Sequence, residues 1–263
     1  MEIAGFLASI LIGISLGLIG GGGSILTVPV LVYLFQVDAV LATTYSLFVV
    51  GTTSLVGSTS YFKNNLIDLK TVITFGLPSI VGVYLSRHFI LPQIPNTLFQ
   101  IGDFHVSKSM FLMLVFAVLM LVASFKMIKK DKHEILPTNQ KYNYPLVIFE
   151  GLMVGVITGF VGAGGGFLII PALVGLLKTP MKKAIGTSLL IIAINSAFGF
   201  LASYEHFDEI NWTFLMIISG LAILGIIIGA RLSKNIDGKK LKPAFGWFVL
   251  IMGIFVIIKE MFL

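Results

Sequence analysis

The residues best placed to do chemistry in this chain are two glycine runs. The first is Gly20-Gly21-Gly22-Gly23, followed by Ser24; the second is Gly162-Ala163-Gly164-Gly165-Gly166. Consecutive glycines let backbone N–H groups converge without a Cβ in the way. Each run is followed by an apolar stretch with a proline, Pro29 or Pro171, so a helix is expected to restart near Ser24 and near Phe167. The unpaired N–H groups of a first helical turn and the positive end of the helix dipole would stabilise an anion there. The competing use of such glycines is close helix packing. Packing glycines usually come at four-residue spacing rather than as an unbroken run ahead of a new helix.

The runs repeat. Gly17 and Gly159 open them 142 residues apart, and the register holds without a gap through Ala42/Ala184, Ser46/Ser188, Leu47/Leu189 and Gly57/Gly199. On the apolar segment after the first run, Ser46, Thr53, Gly57 and Ser60 fall on one helical face; Ser188, Asn195 and Gly199 take the equivalent places after the second. Hydroxyls and an amide inside hydrocarbon need partners, so this face is expected to point inward. There it could offer neutral donors to a substrate, or serve interhelical bonds and bonds to the i−4 carbonyl. The candidate substrate-binding set is Gly20 to Ser24, Ser46, Thr53, Gly162 to Gly166, Thr187, Ser188 and Asn195. Where the second repeat has Thr187-Ser188 the first has Tyr45-Ser46, which makes Tyr45 the weaker ligand.

Catalytic chemistry finds little support. The chain has no cysteine, which excludes thiol redox chemistry and thiolate metal sites. His88, His105, His133 and His206 are not spaced as metal ligands. No nucleophile–base constellation is legible, and the glycine runs lack the Lys-Ser/Thr ending of a phosphate loop. Neither enzyme activity, a cofactor nor a metal is expected. Glu150, one turn into its segment, reads as a helix-start carboxylate. Arg87 and Arg231, near segment ends, read as interfacial anchors that snorkel.

The elements that must position the runs are membrane helices. Of 263 residues, 57% are hydrophobic and 11% charged, against about 25% charged in soluble domains; the mean hydropathy is +1.01. Apolar segments are expected at 3–19, 25–36, 39–62, 70–90, 108–128, 145–160, 167–177, 182–204, 212–233 and 243–262. The fold class is therefore an all-α integral membrane protein. Residues 1–128 form a first repeat, 129–144 a polar linker and 145–263 a second repeat. Residues 25–36 would make a helix of about 18 Å, too short for a hydrocarbon core of about 30 Å. A V, with one helix in, a glycine tip and a shorter helix back, resolves this. It leaves three basic residues on the N-terminal side, Arg87, Lys108 and Lys259, and the other fifteen opposite. The positive-inside rule then makes the linker cytoplasmic and both termini extracytoplasmic, in the inner membrane of the cell. The halves enter from opposite faces and so are inverted repeats, an arrangement suited to a site at the midplane. The net charge of +6 belongs to these loops, and nucleic acid is not expected as a partner. Met1-Glu2-Ile3 reads as the start of the first helix rather than a cleaved signal.

Together, Gly17-x-x-Gly20-Gly-Gly-Gly-Ser24…Pro29, Gly159-x-x-Gly162-Ala-Gly-Gly-Gly166…Pro171 and Ala184-Ile-Gly-Thr187-Ser188-Leu189 resemble the TauE/SafE family of sulfite and organosulfonate exporters over nearly the whole chain. The helix-terminus argument reaches a small anion independently; the resemblance alone implies sulfur, in sulfite or a sulfonate such as sulfoacetate, and outward transport. The expected partners are that anion and the lipid bilayer, with a homodimer left open. An anion channel and a non-transporting scaffold are the alternatives.

Overall fold

The computed structural model describes residues 2–95, 97–101, 104–128, 144–162, 164–175, 177–233 and 238–262. The 129–143 part of the linker and Ala163 lie outside them. In hydrocarbon every backbone N–H and C=O must be satisfied within the chain, and uninterrupted apolar sequence therefore becomes helix. The first half holds α1 (Glu2–Ile19), α2 (Ser24–Tyr33), α3 (Ala39–Lys63), α4 (Leu69–Gln93) and α5 (Lys108–Ile128). The second holds α6 (Tyr144–Val161), α7 (Gly166–Gly175), α8 (Met181–Leu201), α9 (Trp212–Ser233) and α10 (Gly238–Phe262). Among the described residues six helices are long and apolar enough to cross a membrane, whereas α1, α2 and α7 are shorter.

Local chemistry sets the ends. Asp38 caps α3 by accepting a hydrogen bond from the Val40 N–H at 2.8 Å. α4 is not a regular α-helix: it carries π-helical turns over Val72–Gly76 and Ser86–Ile90. One feature departs from the all-α expectation. Thr97–Ile101 (β1) and Phe104–Ser107 (β2) pair as an antiparallel hairpin between α4 and α5. Its signal, aromatic and aliphatic residues either side of Gly102-Asp103, is short and easily lost beside the longer apolar runs.

Glycines govern how the helices meet. α2 turns back along α1, and a Cβ on Gly23 would collide with the Ile12 carbonyl. α1 lies parallel to α9: Gly13 abuts the Ala222 carbonyl, while Gly225 and Gly229 abut those of Ile10 and Ile14. α6 lies parallel to α4 in the same manner, with Gly151 on the Phe75 carbonyl, Gly155 on that of Ser79 and Gly82 on that of Leu152. α3 and α8 run antiparallel, since Leu47 faces Gly199, Gly51 faces Ser196, Gly57 faces Leu189 and Tyr61 faces Gly186. α5 packs on α10. Each half thus gives its first helix to the fourth helix of the other half. The apolar core runs through this centre, with Leu16, Ile25, Phe116, Met120, Leu189 and Ile226 almost wholly buried.

Candidate anion site at the glycine tips

The glycine runs form the apices of two helical hairpins, α1–α2 and α6–α7. Gly20, Gly162, Gly164 and Gly165 all have positive φ, between 63° and 80°, a region closed to most residues with a Cβ. The apices lie at different depths. Gly20 rests on Ile185, in the second turn of α8, and Gly162 rests on Thr43, in the second turn of α3. Because α3 and α8 are antiparallel, these are opposite ends of the helix pair.

Between the apices the backbones touch. A Cβ on Gly21 would collide with the Gly166 carbonyl, and a Cβ on Gly166 would stand 2.5 Å from the Gly21 Cα. Gly164 lies against the middle of both long helices: its absent Cβ would be 2.8 Å from Val50 Cγ1 and 2.7 Å from Ser196 Oγ. The starts of α2 and α7 therefore meet at the centre of the bundle, with no side chain between them. No side chain caps the start of α2, so its first N–H groups are not claimed by a capping oxygen.

The polar face is buried and largely unsatisfied. Ser46, Thr53, Ser54 and Ser196 are fully buried, and among the described residues their hydroxyls have no hydrogen-bond partner; Asn195 Oδ1 has none either. A buried polar group normally has a partner, and lacking one costs about 1–3 kcal/mol. Four such hydroxyls, three on α3 and one on α8, mark a place built for something polar. Asn195 Nδ2 donates to Ser79 Oγ at 2.6 Å and so ties α8 to α4.

Other expected ligands are occupied. Ser24 Oγ donates to the Gly21 carbonyl at 2.7 Å, closing its own tip. Ser188 Oγ faces the carbonyls of Ile185, at 2.9 Å, and Gly20, at 3.2 Å, bracing the first apex. Thr187 is not brought to the tips' polar cluster: its Oγ1 accepts from the Asp68 N–H at 2.9 Å and holds the turn before α4. Tyr45, its repeat equivalent, does the same on the other half, its Oη accepting from the Asn211 N–H at 2.7 Å. Beside Tyr45 a cleft of 570 Å³, lined by Phe35, Asp38, Asn211 and Phe214 among others, leads in from the surface. Gly22 is buried with its neighbours; Ala163 is outside the described residues.

Three contributors escaped the sequence reading. Ser54 and Ser196 are also 142 residues apart, so extending the repeat alignment by one position would have found them. The third is Arg87. Expected as a snorkelling anchor, it is instead 3% exposed. Its neighbours Leu85 and Phe89 are exposed, so the π turn over Ser86–Ile90 rotates Arg87 away from the outer face. Arg231, by contrast, is exposed at the end of α9. No described cluster of His, Asp and Glu could hold a metal ion.

Broken helical hairpins that meet in the middle of a bundle of apolar spans, and leave unsatisfied polar groups there, define a membrane transporter. Likeness to known proteins makes the assignment particular: the chain belongs to the sulfite exporter TauE/SafE family, which matches residues 5–256. It is 30% identical to the probable membrane transporter protein YunE of Bacillus subtilis, over 84% of this chain and 85% of that one. It is 29% identical to a probable membrane transporter protein of Xylella fastidiosa, over 94% and 91%. A probable membrane transporter protein of Methanocaldococcus jannaschii is 26% identical over 97% and 94%. No solved structure matches the chain significantly.

Proposed function

We propose that the protein is a secondary transporter that exports a small anion, sulfite or an organosulfonate such as sulfoacetate, across the inner membrane. The observation that carries this reading is the contact of the two tips, Gly21 on Gly166, beside buried hydroxyls with no partner. An oxyanion there would accept from backbone N–H groups at the starts of α2 and α7 and from Ser46, Thr53, Ser54 and Ser196. Asn195, whose amide is tied to Ser79, would contribute by holding α4 against α8. The two halves act as inverted repeats. The antiparallel packing of α3 on α8, which are equivalent helices, supports this, as do the reciprocal parallel pairs α1–α9 and α4–α6. The site is then approached from either face in turn, and both termini are extracytoplasmic. Sulfur enters this reading through the family alone.

Sulfite flux into proteoliposomes tests it. The purified protein should give saturable uptake that accelerates when sulfite is trapped inside. Gly164→Leu, which drives a side chain into Ser196 and Val50, should abolish uptake while the protein still inserts and elutes as a single species. Uptake that rises linearly with concentration would make the protein a channel. Uptake unchanged in Gly164→Leu would reduce the tips to packing.

A further inference from the structure

Arg87 is a full positive charge buried where none of the described residues gives it a counter-charge. Its Nη1 donates to Ser203 Oγ at 3.4 Å, a weak contact, and Ser203 itself donates to the Gly199 carbonyl at 2.9 Å. Among the described residues Nε and Nη2 have no hydrogen-bond partner, and no carboxylate pairs with the guanidinium. The neighbouring Ser86 Oγ is also buried and unpartnered. The free edge of the guanidinium faces the second tip, because Nη2 would lie 2.6 Å from a Cβ on Gly162.

A buried, unpaired guanidinium is costly, and charges in such places are paired or neutralised. Arginine does not escape by losing its proton. A π turn, a form frequent at functional sites, aims it inward. The repeat makes the charge one-sided: the residue 142 positions after Arg87 is Gly229, whose lack of a side chain admits the Ile14 carbonyl.

From this we infer that Arg87 is a substrate-binding residue that supplies the counter-charge for one oxyanion at the Gly162 tip. Its planar fork grips two oxygens of a sulfite or sulfonate group through Nε and Nη2. The ligand class is thus a compact anion with at least two oxygens on one centre, and an uncharged analogue of the same shape is refused. The inference rests on the transport reading. It replaces the reading of Arg87 as an interfacial anchor.

The test is anion binding by the purified full-length protein, with sulfite, methanesulfonate and the uncharged dimethyl sulfone as probes, read by calorimetry and thermal shift. The wild type should bind both anions and ignore the sulfone. Arg87→Gln should weaken anion binding at least tenfold while melting, without anion, no lower than the wild type, since it removes an uncompensated buried charge. A purely structural arginine would instead lower that melting temperature and leave the affinity of the folded fraction unchanged. Arg87→Lys, which keeps the charge but offers a point donor, should bind about tenfold more weakly than the wild type. Should Arg87→Gln fail to fold, wild-type affinity in Arg87→Lys overturns the proposal. Wild-type anion affinity in Arg87→Gln overturns the role of Arg87 and leaves the transport reading standing. A wild type that binds neither anion overturns both.

Discussion

Ser196 and Thr187 stand nine residues apart on α8, both fully buried, and their hydroxyls have opposite employment. Thr187 holds the Asp68 N–H, whereas Ser196 holds nothing and borders Gly164. Thr187→Ala should therefore cost stability, about 1 kcal/mol for the lost hydrogen bond, with sulfite affinity unchanged. Ser196→Ala should leave melting in the absence of anion unaffected or slightly raised, because an unsatisfied buried hydroxyl is removed. It should weaken sulfite binding by roughly tenfold to a hundredfold, since hydrogen bonds to charged groups contribute about 1.5–3 kcal/mol. Melting curves and titrations on the two variants separate the roles; the reverse pattern would move the site towards the α4 turn. Residue type and repeat register announced that Ser46, Thr53, Ser188 and Asn195 face inward. They could not announce which hydroxyls are already spent, because that depends on a carbonyl 168 residues away in the chain or on a loop N–H 119 residues away. Arg87 was expected to be an anchor because it lies near a segment end; the π turn over Ser86–Ile90, which no residue pattern announces, lands it on the inner face instead.

At the level of helices, two glycine seams set the architecture. Gly13, Gly225 and Gly229 let α1 and α9 approach backbone to backbone, and Gly82, Gly151 and Gly155 do so for α4 and α6. In a membrane this close approach substitutes for the hydrophobic drive that soluble helices enjoy. Gly155→Leu should force the α4–α6 seam apart and lower the melting temperature in detergent, with a cost of at least about 1–3 kcal/mol. Gly220→Ala, on α9 with open space where its Cβ would go, should be neutral or stabilise by up to about 1 kcal/mol. If both variants melt alike, the seams are not what holds the helices. The helices themselves were legible because an apolar run of about 20 residues has one solution in lipid. The hairpin Thr97–Ser107 was not, since strands of five and four residues lie outside that rule. Gly17 and Gly159 were legible as part of the repeated motif, yet they serve packing, against α9 and α4 respectively.

The whole molecule is organised by charge as well as by packing. With Arg87 withdrawn into the interior, the proposed outer side loses one of the three basic residues that the sequence reading assigned to it, which sharpens the expected asymmetry. The native chain has no cysteine, so single cysteines report cleanly. Glu205→Cys, on the exposed turn before α9, should react with an impermeant maleimide in intact cells; Asn64→Cys, on the exposed turn after α3, should react only after permeabilisation. Labelling of Asn64→Cys from outside would invert the orientation. The touching of Gly21 and Gly166 also bears on stoichiometry. Two receptors that share a wall of bare backbone cannot each hold an anion, for the pair would repel across a gap with neither a side chain nor bulk water to screen it. The carrier should therefore load one anion per cycle. Its initial rates should follow a hyperbola without sigmoidicity. Exchange of labelled for unlabelled sulfite should be ping-pong, giving parallel lines in double-reciprocal plots, because the outgoing passenger must leave before the incoming one can be seated.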